Sequence, residues 1–81
     1  MNDKIDFTRI NNDVNGNPRY VCHFLNIPGL DKDAPIDAQY RQAVKKTNAI
    51  GGRKYHNKSY GGGIVFQSYN LHDLQKSILE L

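Results

Sequence analysis

The sequence predicts a single compact α+β domain over residues 1–81, in the order ββαββα, with a four-stranded sheet and two helices packed on one face. Three observations carry this expectation. Apolar residues alternate with polar ones in short stretches rich in β-branched and aromatic side chains. In two other stretches they recur at 3.6-residue spacing. Clusters of Asn, Gly and Pro separate the stretches.

Residues 4–10 alternate and read as a strand with Ile5 and Phe7 inward. Asn11 to Pro18 is turn chemistry, in which Gly16 takes a positive φ without steric penalty. Residues 19–27 read as a second strand, apolar on both faces, that closes a hairpin with the first. Residues 28–33 form a loop. Asp33 or Ala34 then caps a helix, Pro35 suits its first turn, and Asp37 meets the positive end of the helix dipole. Ile36, Tyr40, Ala43, Val44, Thr47 and Ile50 make its buried stripe, and Gly51-Gly52 ends it. Residues 53–56 and 63–69 read as two further strands. Asn70 caps the last helix, with Asp73 at the capping-box position and Leu71, Leu74, Ile78 and Leu81 on its apolar face. Ile36, Tyr40, Val44, Ile50, Leu74 and Ile78 are expected to share one core with Phe7, Phe24 and Phe66. A ferredoxin-like sheet with its last strand moved to the N-terminus has this order of elements, and is one topology among several.

A chain this short buries only about 60–65% of its surface on folding, which leaves no core to spare for a large internal cavity and favours function at the surface. The single cysteine, Cys22, excludes an intramolecular disulfide and a thiolate metal cluster, and fits a reducing, cytoplasmic setting. No apolar stretch follows Met1-Asn2-Asp3-Lys4, and none approaches the ~18 residues of a membrane span, so a soluble protein without membrane contact is expected.

Charge is sharply segregated. Residues 1–37 hold four basic groups against six acidic ones, whereas residues 38–72 hold no acid and six cations: Arg41, Lys45, Lys46, Arg53, Lys54 and Lys58. Arg41, Lys45 and Lys46 fall outside the helical stripe, toward solvent. In the segment from Arg53 to Tyr69, basic residues interleave with tyrosines, the composition that neutralises a phosphate backbone and stacks on bases. The run from Lys58 to Phe66 faintly echoes an RNA-recognition strand, but Gly62 and Gly63 stand where that signature has an aromatic.

Catalytic chemistry finds no footing. Cys22 and His23 are adjacent on a strand and point to opposite faces, so they cannot act as nucleophile and base. His23, beside Phe24, reads as a partly buried sheet residue, and His72 as an exposed one. No carboxylates are paired, and Cys22, His56 and His72 have no metal-module spacing. Neither catalytic residues, metal nor cofactor is expected. Gly61-Gly62-Gly63 opens a strand instead of a helix and lacks the phosphate-loop pattern, so it reads as a structural feature that admits a bulge or a close crossing under a ring.

The stretches from Arg9 to Val21 and from Gly61 to Asn70 resemble those of small accessory proteins carried by bacterial phages and plasmids. The resemblance implies a mobile-element protein in a bacterial cytoplasm, a class that either handles nucleic acid or binds and blocks a host protein. The expectation is a non-enzymatic nucleic-acid-binding protein, monomer or homodimer, in which Arg41, Lys45, Lys46, Arg53, Lys54 and Lys58 neutralise phosphate while Tyr60 and Tyr69 stack. The alternative is an inhibitor or adaptor that binds a host defence protein.

Overall fold

The computed structural model describes residues 5–53 and 61–81, with Arg53 described by its backbone alone. It is an α+β fold with two helices against an antiparallel sheet. The sheet is built on three strands, β1 (Phe7–Ile10), β2 (Arg19–His23) and, returning late in the chain, Gly63–Gln67. The two-residue segment Gly52–Arg53 (β3) pairs with the far edge of Gly63–Gln67, which is therefore β4. The expected fourth strand at residues 53–56 is not established by this two-residue pairing, which includes only Arg53 of that range, and residues 54–56 lie outside the described residues. The pairing order β1-β2-β4-β3 places β4 between β2 and β3. That is the order of a ferredoxin-like sheet whose last strand has moved to the N-terminus.

Register explains the two faces. Phe7, Cys22 and Ile64 lie side by side across three strands, as do Tyr20 and Phe66 on the next pair but one. These residues face the helices, and Phe7 meets Phe66 edge-on at 5.9 Å between ring centroids. The alternate residues Val21 and Val65 are also cross-strand partners and are buried on the other face.

Both helices feed the same core. Ala43 of α1 (Ile36–Asn48) and Leu74 and Ile78 of α2 (Leu71–Leu79) join Ile5, Cys22, Ile27, Ile64 and Phe66 in one cluster. α1 approaches the sheet closely because its contact line is small, Ala43 and Thr47. A methyl group added at Gly52 would lie 2.7 Å from Thr47 Cβ and 2.9 Å from Phe66 Cε1, closer than side chains tolerate. Gly51, at φ +87°, supplies the left-handed residue that turns the chain from α1 into β3.

Six expectations need correction. The first strand begins at Phe7, with Ile5 and Asp6 outside it, and Leu81 lies exposed beyond the end of α2. The second strand stops at His23, where Phe24–Asn26 form a 3₁₀ turn; Phe24 leaves the sheet line to meet the Tyr40 ring edge-on at 5.3 Å. β4 stops at Gln67, because Ser68 takes a left-handed φ of 61° and donates its N–H to the Pro18 carbonyl at 2.8 Å. α1 has Pro35 at its cap with no side-chain bond, so neither Asp33 nor Ala34 caps it. Ile36 is 57% exposed and is not in the core: as the first residue of α1 it lies beyond the sheet that covers the rest of the stripe.

The β1–β2 turn is tightly bonded. Asp13 Oδ1 accepts from the backbone N–H groups of Asn15 and Asn17, both at 2.9 Å, and the Asp13 and Asn17 backbones close the turn. The Asn17 N–H holds the Asp13 carboxyl below its ordinary pKa; desolvation opposes it, and the Asn17 side-chain amide, the Asn15 N–H and Arg19 add smaller lowering effects.

Candidate nucleic-acid interface

α1 sorts its cations by angle. Arg41 and Lys45, one helical turn apart, are exposed on its outer face. Asp37 lies one turn before them and Asn48 nearly one turn after. Tyr40, Val44 and Asn48 line a shallow hollow with the two cations. Sequence reasoning assigned Tyr40 and Val44 wholly to the core; in fact both are half-buried, with one edge against the core and the other beside the cations. The signal was available in the spacing, since residues 40, 41, 44, 45 and 48 fall on one broad helical face.

Lys46 does not join them. It lies about 100° round the helix from Lys45, is half-buried, and folds toward the Gly29 turn, where its Nζ would sit 3.3 Å from a methyl added at Gly29. The expectation that it points freely to solvent is corrected accordingly.

Tyr69 is half-buried against the core cluster, with its hydroxyl over Gly51, so its ring contributes to packing. Lys54, Lys58, Tyr60 and the Arg53 side chain lie outside the described residues. Arg9 and Arg19 belong to the β1–β2 ribbon. Arg9 donates to Asn12 Oδ1 and lies 6.0 Å over the Tyr20 ring, and Arg19 Nε donates to the Asn11 carbonyl.

The reactive side chains are placed for structure. Cys22 is fully buried, and burial, helped by the Asp6 charge, pushes its thiol up to about 12, so a thiolate is not available near neutral pH. His23 is exposed, not partly buried, because β2 turns its side chain away from the helices; its Nδ1 donates to the Gly61 carbonyl at 3.0 Å. His72 is exposed in the first turn of α2. Gly61 and Gly62 adopt φ of 62° and 84°, and a methyl at Gly61 would meet the His23 ring at 3.1 Å. The glycines therefore serve a turn passing close to an imidazole, in keeping with their structural reading. Among the described residues, no three His, Cys, Asp or Glu side chains are grouped to hold a metal ion, and no helix is long and apolar enough to cross a membrane.

Fold and surface together define a small α+β domain that offers shallow, charged surfaces. Its residues 1–81 match the family of Staphylococcus phage terminal repeat-encoded protein TreK, and the chain belongs to that family. No curated protein and no solved structure matches it.

Proposed function

We propose that this phage protein is a non-enzymatic accessory protein that binds nucleic acid in the bacterial cytoplasm. The observation that carries the reading is the acid-free stretch from residue 38 to 72, whose cations Arg41 and Lys45 stand exposed one turn apart on α1. They contact phosphate, and the hollow beside them, floored by Tyr40 and Val44, accepts the sugar or base edge. Arg53, Lys54 and Lys58 bring three further cations to the same acid-free stretch, and Tyr60 is the ring assigned to an unpaired base.

A gel-shift or anisotropy titration of single- and double-stranded DNA and RNA at several salt concentrations tests this. Affinity falls with salt at about −0.7 to −0.9 in log–log slope per phosphate neutralised. Replacing Arg41 and Lys45 together by Gln flattens that slope by about one to two units, nearly independently of sequence. Tyr60→Ala costs about 1–3 kcal/mol on single strands and little on duplex. Protein that shifts neither strand type at low salt removes the reading in favour of a host-protein inhibitor or adaptor.

A further inference from the structure

Four of the five large apolar side chains exposed among the described residues fall into two patches. Leu25 and Ile36, 60% and 57% exposed, line a hollow between the 3₁₀ turn and the start of α1, with Leu30 and Pro28 beside them. Leu79 and Leu81, 46% and 36% exposed, stand at the end of α2. The fifth is Val14, in the β1–β2 turn. Each pair leaves apolar surface in water that a partner's side chains would cover.

The two patches carry opposite charge. Lys32 is the charged residue lining the hollow, and the Lys46 amine lies against its Gly29. Asp31 and Asp33 flank Lys32 in sequence but do not line the hollow, and Asp31 Oδ1 accepts the Asp33 N–H at 3.0 Å. Glu80 stands between Leu79 and Leu81, exposed, at the negative end of the α2 dipole, with Lys76 one turn back.

Both patches also lie at one end of the sheet. The 3₁₀ turn leaves directly from His23, the last residue of β2. α2 starts near the opposite end, where the Ser68 N–H meets the Pro18 carbonyl. It runs back so that Gln75, one turn before Leu79, donates to the Ile5 carbonyl at 3.2 Å, just ahead of the Phe7–Cys22 pair. No α2 residue lines the hollow, so the end of α2 does not fill the hollow of its own chain. A two-fold axis at this end sets each patch against the other kind on a second copy.

We infer that two copies of this chain pair so that the end of α2 in each seats in the hollow of the other. Leu79 and Leu81 enter beside Leu25 and Ile36, and Glu80 meets Lys32, where complementary charge fixes register. Each binding site is completed only by residues of the second copy. The pairing uses neither Arg41 nor Lys45, so it is independent of nucleic-acid binding.

Sedimentation equilibrium of the whole protein from about 10 µM to 1 mM tests this, with an expected dissociation constant of about 10–500 µM for so small an interface. Dilution of ¹⁵N-labelled protein should shift amides at residues 25–32 and 79–81 together. Ile36→Asp and Leu79→Asp each weaken pairing at least about tenfold. Mixing the two variants recovers part of it, because one copy keeps its hollow and the other its α2 end. Both positions are exposed, so folding is retained, and circular dichroism checks this. Should either variant unfold, charge exchange serves instead. Lys32→Glu or Glu80→Lys alone weakens pairing about threefold to tenfold, and both together in one chain restore it to within about twofold. A protein that stays monomeric at about 1 mM overturns the inference. So does pairing that either Asp variant leaves unchanged, a mixture no better associated than its components, a double exchange no better than the singles, or dilution shifts confined to β1.

Discussion

The two helices pack on the same core by different means. α2 has nine residues, starts on an Asn70 side chain that accepts from the N–H groups of His72 and Asp73, and is anchored by two fully buried aliphatics, Leu74 and Ile78. α1 has thirteen residues, no side-chain cap, and a buried line of Gln39, Ala43 and Thr47, small or polar throughout. Its polar members are satisfied locally: Gln39 donates to the Ala34 carbonyl at 2.9 Å and Thr47 to the Ala43 carbonyl at 2.8 Å. α2 is held by burial and a cap. α1 is held by close approach to the sheet at Gly52 and by Tyr40 against Phe24 of the 3₁₀ turn, which leaves its outer face to surface chemistry. Every candidate nucleic-acid-binding residue on a described helix lies on α1.

The contrast can be broken most directly at Leu74. Leu74→Ala is expected to cost about 2–5 kcal/mol, whereas Val44→Ala, half-buried on α1, costs about 1 kcal/mol. Urea unfolding of both variants checks this, and equal losses would erase the distinction between the helices. Next in size is the cap. Asn70→Ala should cost about 0.5–2 kcal/mol, with hydrogen exchange quickening at His72 and Asp73 and unchanged along α1. Smaller still, Ile36→Ala should alter stability by no more than about 0.5 kcal/mol. A larger loss in the same unfolding measurement would return Ile36 to the core and empty the case for an open hollow.

The smallest effect expected is local, at the β1–β2 turn. Asp13 titrates lower in the folded chain than in the unfolded one, so its contribution is full above the unfolded value and is lost as pH falls through the folded one. The Asn15 and Asn17 amides should therefore keep their protection at mildly acidic pH and lose it only below the ordinary carboxylate range. Asp13→Asn should remove that pH dependence. A carboxyl titration by NMR at or above the ordinary value would contradict the hydrogen bonding at Asn15 and Asn17.

The elements were legible in the sequence where periodicity and punctuation agreed. The stripe Tyr40, Ala43, Val44, Thr47 and Ile50, the Asn70 cap, and the alternation through Ile5 and Phe7 all report backbone geometry, which local sequence encodes. Ile36 misled because helical spacing says which way a side chain points, and cannot say whether sheet lies beneath it. The second strand was read too long because Phe24 is apolar and packed, but packed against Tyr40 after a bend that alternation does not register. β4 was overrun at Ser68, since a left-handed serine has no signature in composition. The charge segregation was plain, and its split between Lys45 and Lys46 follows from one residue of helical rotation. The hollow was not legible, because Leu25 and Ile36 meet only through the tertiary fold.

The burial of Cys22 turns the chain's one thiol into an intrinsic clock. It sits at the centre of the sheet, paired across to both Phe7 and Ile64, so a thiol reagent can reach it only when those strands part. The rate at which the native protein is trapped by such a reagent then measures opening of the central sheet, without denaturant and without an added probe. Any cysteine placed deliberately on the surface would react first and separately, so labels for distance or binding measurements can be installed while the original residue stays in place.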